Sequence, residues 1–142
     1  MATNKRREPP AEGVCAVCGK KHRTLTTDEC KDRRMTEKTL QARVIYHAKR
    51  RGWTVAHVGR GYVGGDGGSF VTPMAPGWPD LVLFNPKARI KVVAMELKRE
   101  QGVVADLQWS WLALFNACGI PAVIIKPSDL REGRVDAILS GR

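Results

Sequence analysis

The chain has 142 residues, a formal charge of +10, four cysteines and no apolar run long enough to cross a bilayer. That length supports one compact domain with an appendage and a core that needs no disulfide staples. The polar opening, residues 1–10, lacks the apolar centre of a secretory signal, so a cytoplasmic location with no membrane partner is expected, where cysteines serve metals or burial rather than disulfides.

The positive charge is uneven: residues 1–60 hold 15 Lys/Arg against 6 Asp/Glu. Clustered cations suit a polyphosphate partner, because each neutralised phosphate releases condensed counterions. A basic tail that merely aids solubility is the alternative. Residues 1–13, charged and proline-bearing, read as a disordered tail. Residues 14–34 read as a small metal-binding element. Cys15 and Cys18 form a tight thiolate pair, and His22 and Cys30 complete a Cys₃His set suited to structural zinc. Free thiols are the competing reading, and redox chemistry lacks the βαβ context it needs.

Residues 35–142 read as the main domain. Thr36 and Glu37 start a helix that Gly52 stops, with Leu40, Val44, Ile45 and Ala48 on its apolar face. Glu37 and Gln41 fall on the edge of that face, while Arg43, Lys49, Arg50 and Arg51 point outward. Residues 53–58 read as a strand, followed by the glycine-rich run Gly59 to Gly68. Gly59, Gly61 and Gly64 fit a dinucleotide-binding spacing, but no helix follows, and no Gly-Lys-Ser/Thr occurs for a P-loop. Two readings remain for the run: an arm that lays Arg60 against nucleic acid, or a plain connection.

Residues 80–84 and 91–98 read as strands joined by a turn over residues 85–89. A helix follows over residues 106–118, with Leu107, Trp111, Leu114 and Cys118 on one stripe and Gln108, Trp111, Leu112 and Phe115 on a neighbouring one. Cys118 is expected in the core. A strand over residues 122–126 and a short helix over 132–139 complete an α/β order with a mixed sheet flanked by helices. His47 and His57 are expected to be satisfied near the core, and Trp78 and Trp109 are the candidates for stacking on bases.

If the turn centres on Ala88, Phe84 pairs with Val92, Val82 with Ala94 and Asp80 with Glu96. Carboxylates that face each other across strands, about 4.5–5.5 Å apart at Cβ, repel unless a cation lies between them. A divalent ion with oxygen ligands fits, and Lys98 lies one pleat further on the same face. Two carboxylates, a metal and a cation beside a phosphate are the parts that phosphodiester hydrolysis needs. A solvated strand face is the bland alternative, and a one-residue slip in register would separate the acids.

Gly77-Trp78-Pro79-Asp80-Leu81, then Glu96-Leu97-Lys98-Arg99 with Gly102 and Gln108, resembles the VRR-NUC (virus-type replication-repair nuclease) family of the PD-(D/E)XK nuclease superfamily. The resemblance covers residues 36 to about 140 and looks like the stand-alone phage type. It implies a restriction-endonuclease-like core in which Asp80 and Glu96 bind Mg²⁺ or Mn²⁺ with the Leu97 carbonyl as a further ligand. It also implies that Lys98 orients or polarises the attacking water, that Gln108 supports the site, and that Glu37 or Gln41 is the polar residue of the first helix. Ala105 stands where the family usually has Ser or Thr, so Asp106 is expected to cap that helix.

The expected function is a metal-dependent DNA endonuclease, with Arg43, Lys49, Arg50, Arg60 and Arg99 as candidate DNA contacts. The resemblance points to branched DNA, as in Holliday-junction resolution, and to a homodimer in phage replication, recombination or repair. A sequence-specific restriction-type nuclease and a non-catalytic zinc-bearing DNA-binding protein are the alternatives.

Overall fold

The computed structural model describes residues 13–22, 24–57, 61–62, 69–70 and 75–141. Arg60, most of the glycine-rich run and most of the expected tail lie outside the described residues. Among the described residues no helix is long and apolar enough to cross a membrane.

The first helix, α1 (Thr27–Arg34), was not foreseen, although its start signal is explicit. The Thr26 hydroxyl accepts from the Glu29 amide and the Glu29 carboxylate accepts from the Thr26 amide, a reciprocal capping box. Only Met35 and Thr36 separate it from α2 (Glu37–Arg50), which Thr36 caps by accepting from the Thr39 amide at 3.1 Å. Gly52, at φ +78°, turns the chain out of α2, a left-handed conformation that a Cβ would strain.

Four strands form the main sheet: β1 (Thr54–His57), β4 (Leu81–Phe84), β5 (Val92–Leu97) and β6 (Ala122–Ile125), in the order β1-β4-β5-β6. The short pair β2 (Gly61–Tyr62) and β3 (Ser69–Phe70) forms a separate antiparallel ribbon within the glycine-rich region, where no strand was expected. β4 and β5 pair antiparallel with Val82 opposite Ala94 and Phe84 opposite Val92, the register read from the turn. β6 then runs parallel to β5, with α3 (Asp106–Ala117) as the crossover that a parallel pair requires.

The two faces of the sheet have different partners. Leu81, Leu83, Val93, Met95, Leu97 and Ile125 lie on one face and pack with Leu40, Val44 and Ala48 of α2 and with Val135 and Leu139 near the C-terminus. Removing one such aliphatic side chain from water contributes about 1.5–3 kcal/mol. The opposite face carries Ala94, Glu96 and Lys98 and faces α3.

The last helical segment is divided. The helix expected over residues 132–139 forms as α5 (Arg134–Ser140), and a further short helix that was not expected, α4 (Pro127–Arg131), precedes it, with Glu132 and Gly133, at φ +78°, between them. Pro127 starts α4, where its missing N–H costs nothing.

On α3 the side that carries Gln108 faces the sheet, and the core placement expected of Cys118 fails. Leu107 and Leu114 are more than half exposed and Cys118 is exposed, whereas Leu112 is 4% exposed. Periodicity marks both stripes as apolar, and the sheet selects the one that also carries Gln108.

Candidate active site and metal centres

Asp80 sits at the entrance to β4 and Glu96 near the end of β5, one residue beyond the last paired positions, Leu81 and Met95. The acids therefore meet at the mouth of the hairpin. Asp80 Oδ2 accepts from the Leu97 amide at 2.8 Å, which ties the entrance of one strand to the end of the other. Leu97 ends β5, and the Lys98 amide carries the chain on by donating to the Ile125 carbonyl at 3.0 Å.

Glu96 is 1% exposed. Its Oε1 accepts from Lys98 Nζ at 2.7 Å and from Gln108 Nε2, while its Oε2 is buried with no hydrogen-bond partner among the described residues. An ionised carboxylate oxygen left unpartnered in that position is costly, and a cation is the partner its chemistry suits.

Gln108 has a second bond. Its Oε1 accepts from the Ala105 amide at 2.9 Å, so the glutamine, not Asp106, satisfies the start of α3. The two bonds use opposite ends of one amide and fix which end faces Glu96. A residue with acceptors alone, such as glutamate, could not do both.

Burial pushes the Asp80 carboxyl above its ordinary value, against the opposing hydrogen bond from the Leu97 amide and the charge of Lys98. Burial likewise pushes Glu96 up, with the Asp80 charge adding to it and Lys98 opposing. For Lys98 burial works downward, but the Glu96 hydrogen bond and the charges of Glu96, Glu37 and Asp80 together outweigh it. Lys98 is thus held protonated, as a cation that donates rather than a base.

Glu37 is exposed on the first turn of α2, near enough for its charge to act on Asp80 and Lys98. Gln41 is half-buried one turn later, and the hydrogen bonds of the carboxylate pair go to Gln108, Lys98 and Leu97 rather than to it. Arg43, Lys49, Arg50 and Arg99 are exposed, and Arg50 lies over the ring of Tyr46 at 5.5 Å from its centroid. Arg60 is outside the described residues.

Several positioning groups carried no sequence signal of their role. Gly77, at φ +81°, has the backbone of Leu107 where a Cβ would stand, 2.6 Å from its carbonyl carbon. Trp111 Nε1 donates to the Pro76 carbonyl at 3.0 Å, and Trp78 packs edge-on against Trp111 and Phe115. This cluster pins the segment before Asp80 onto α3, so Trp78 is committed to packing, while Trp109 is 53% exposed. Glu100 accepts from the Ser128 amide at 3.0 Å and joins the exit of β5 to α4. His47 meets Asp136 at 2.9 Å, the satisfied role expected of it, whereas His57 is exposed.

The second centre lies in the N-terminal element. One ligand atom from each of Cys15, Cys18, His22 and Cys30 lies within 4.8 Å of the others, a donor set compatible with zinc. The amides of Cys18 and Val17 push the Cys15 thiol down to about 6, and burial pushes Cys30 up to about 11.

The model of a family described as the VRR-NUC domain matches residues 72–128, a span that holds Asp80, Glu96, Lys98 and Gln108 and excludes the cysteine cluster and α2. No match was found among curated proteins or among solved structures. Residues 72–128 thus match a VRR-NUC domain, and the mixed sheet flanked by helices with the site at the mouth of its hairpin is consistent with an α/β nuclease fold of the PD-(D/E)XK type.

Proposed function

We propose that the protein is a divalent-metal-dependent DNA endonuclease whose cation is held by Asp80 and Glu96, with the Leu97 carbonyl as a further ligand. The observation that carries this reading is the buried, unpartnered Oε2 of Glu96 beside a second carboxylate and a protonated Lys98. Oxygen donors at this density suit Mg²⁺ or Mn²⁺. When bound, such an ion acidifies a water and neutralises charge on a phosphodiester.

The chain's own residues do the rest. Gln108 and Lys98 occupy Oε1 of Glu96 and leave Oε2 for the ion. Lys98 orients the attacking water and offers positive charge where the phosphate's oxygens gain negative charge. Glu37 adds a carboxylate at the rim, with Gln41 behind it, and the exposed Arg43, Lys49, Arg50 and Arg99, together with Arg60, provide cations for the DNA backbone.

Within this reading the substrate is branched or structured DNA, cut by a homodimer that presents one site to each strand, in the host cytoplasm during phage replication, recombination or repair. The exposed apolar residues Leu107 and Leu114 of α3 support a second copy as partner.

The test is cleavage of supercoiled plasmid, linear duplex and four-way junctions with Mg²⁺ or Mn²⁺, comparing the native chain with Asp80→Ala and Lys98→Ala. The native chain is expected to cut, and junctions faster than duplex. Each variant should lose about 10²-fold or more, the scale set by removing one group that stabilises developing charge. Equal activity in all three proteins would overturn the mechanism, and salt-sensitive binding without cleavage would establish a binding module instead. Equal rates on junction and duplex would remove the branched-DNA preference, and a monomeric mass by sedimentation would remove the dimer.

A further inference from the structure

Residues 13–34 have almost no hydrophobic means of holding their shape. Among the described residues of this segment only Cys30 and Asp32 are buried, and both belong to α1. Three of the four clustered ligands, Cys15, Cys18 and His22, lie in irregular chain. A helix of eight residues is not stable alone in water. Something other than a core must therefore organise the segment.

The backbone is folded as a metal-holding turn. The Gly19 amide donates to the Cys15 carbonyl at 2.8 Å, the Cys15 amide donates to the Lys20 carbonyl at 3.0 Å, and Gly19 takes φ +69°. This closure brings Cys18 Sγ within 3.0 Å of His22 Nε2 and turns both toward Cys15 and Cys30. Tetrahedral zinc, with Zn–S of about 2.3 Å and Zn–N of about 2.0 Å, holds its ligand atoms roughly 3.5–3.8 Å apart, so the Cys18–His22 pair would open slightly while any pair near the 4.8 Å limit would close. Three thiols and an imidazole select Zn²⁺ over the hard cation of the carboxylate site. Thiols that bind release their protons to solvent, and no electron is transferred.

The two buried residues of α1 then have complementary roles. Cys30 faces the cluster, and Asp32, 4% exposed, accepts from Arg131 Nε of α4 at 2.8 Å. α1 is thus held at one side by the four-ligand cluster and at the other by an ion pair to the body that carries the carboxylate site. We propose that Cys15, Cys18, His22 and Cys30 form a structural zinc site that clamps α1 onto α4 through Asp32 and Arg131, and so fastens residues 13–34 to the nuclease domain. This goes beyond the cleavage reading, since the family match, residues 72–128, excludes all six residues and takes in only the first two residues of α4.

Cys118, exposed and remote in sequence from the cluster, serves as an internal control. Full-length protein purified without added metal should carry one zinc per chain by mass spectrometry of the metal. A thiol reagent should titrate one cysteine quickly and the other three only after a zinc-selective chelator is added. Zinc below about one tenth per chain that does not rise after incubation with Zn²⁺ and dialysis would overturn the site, as would four thiols reacting at one rate with or without chelator.

The clamp has its own arm. Arg131→Ala should keep one zinc per chain yet raise the rate of proteolysis within residues 13–34 about tenfold, and Cys18→Ser should lose the zinc and show the same rise. Unchanged proteolysis in both variants would overturn the clamp. None of these measurements uses DNA or the carboxylate metal, so a failure here is distinguishable from a failure of the nuclease reading.

Discussion

Glu96 and Asp80 concentrate the cost of the site into two side chains. Their ordinary values are 4.5 and 3.8, and burial raises both. An acid whose pKa is higher in the folded state than in the unfolded state favours folding when protonated. Stability is therefore highest below the ordinary values and declines as the pH rises through them to the raised folded values. Metal-free thermal melts should show this decline just above the ordinary carboxylate range, and Asp80→Asn should flatten it. At neutral pH without divalent ions that variant should melt roughly 3 °C higher, the shift that about 1 kcal/mol produces in a domain of this size. Mg²⁺ should raise the melting temperature of the native chain and leave the variant unmoved. A variant that melts lower than the native chain without metal would show that the acids do not oppose folding.

Element packing decides where those side chains stand. The approach of Gly77 to the Leu107 backbone leaves no room for a Cβ, and its positive φ disfavours one independently. Gly77→Ala should cost about 1–3 kcal/mol in urea unfolding, the usual penalty for overpacking, and should lower cleavage by moving Asp80. On α3, Leu112→Ala should cost about 2–4 kcal/mol, because Leu112 is buried against the sheet. Leu107→Ala and Leu114→Ala should stay within about 0.5 kcal/mol as monomers, because both side chains are more than half exposed. The reverse order would mean that the other stripe faces the sheet.

Both stripes were legible in the sequence as apolar, and so was the choice of the Gln108 side to face the sheet, but the exposure of Cys118 was not. The choice depends on Gln108, whose amide bridges Ala105 and Glu96. α1 was missed despite its Thr26–Glu29 capping box, because an eight-residue segment with few apolar positions gives little periodicity to read. The hairpin register was legible because the alternation of β4 and β5 and the turn between them are local properties.

At the scale of the whole molecule, the excess of positive charge in residues 1–60 bears on nucleic-acid binding rather than on folding. Arg43, Lys49 and Arg50 are exposed on α2. Replacing all three with alanine should weaken DNA binding with little regard to sequence. The slope of log affinity against log salt should fall by about one for each residue that contacts a phosphate. An unchanged slope would place the DNA elsewhere on the surface.

The sequence by itself determined the strand alternation, the turn that sets the β4–β5 register and the start of α2, since each depends on neighbours a few residues apart. Only the tertiary structure decided that Oε2 of Glu96 is left unpartnered, that Gln108 serves both Ala105 and Glu96, and that Asp32 reaches Arg131 across 99 residues of chain. Those outcomes depend on which surfaces exclude water from one another, a property of the packed chain and not of any window along it.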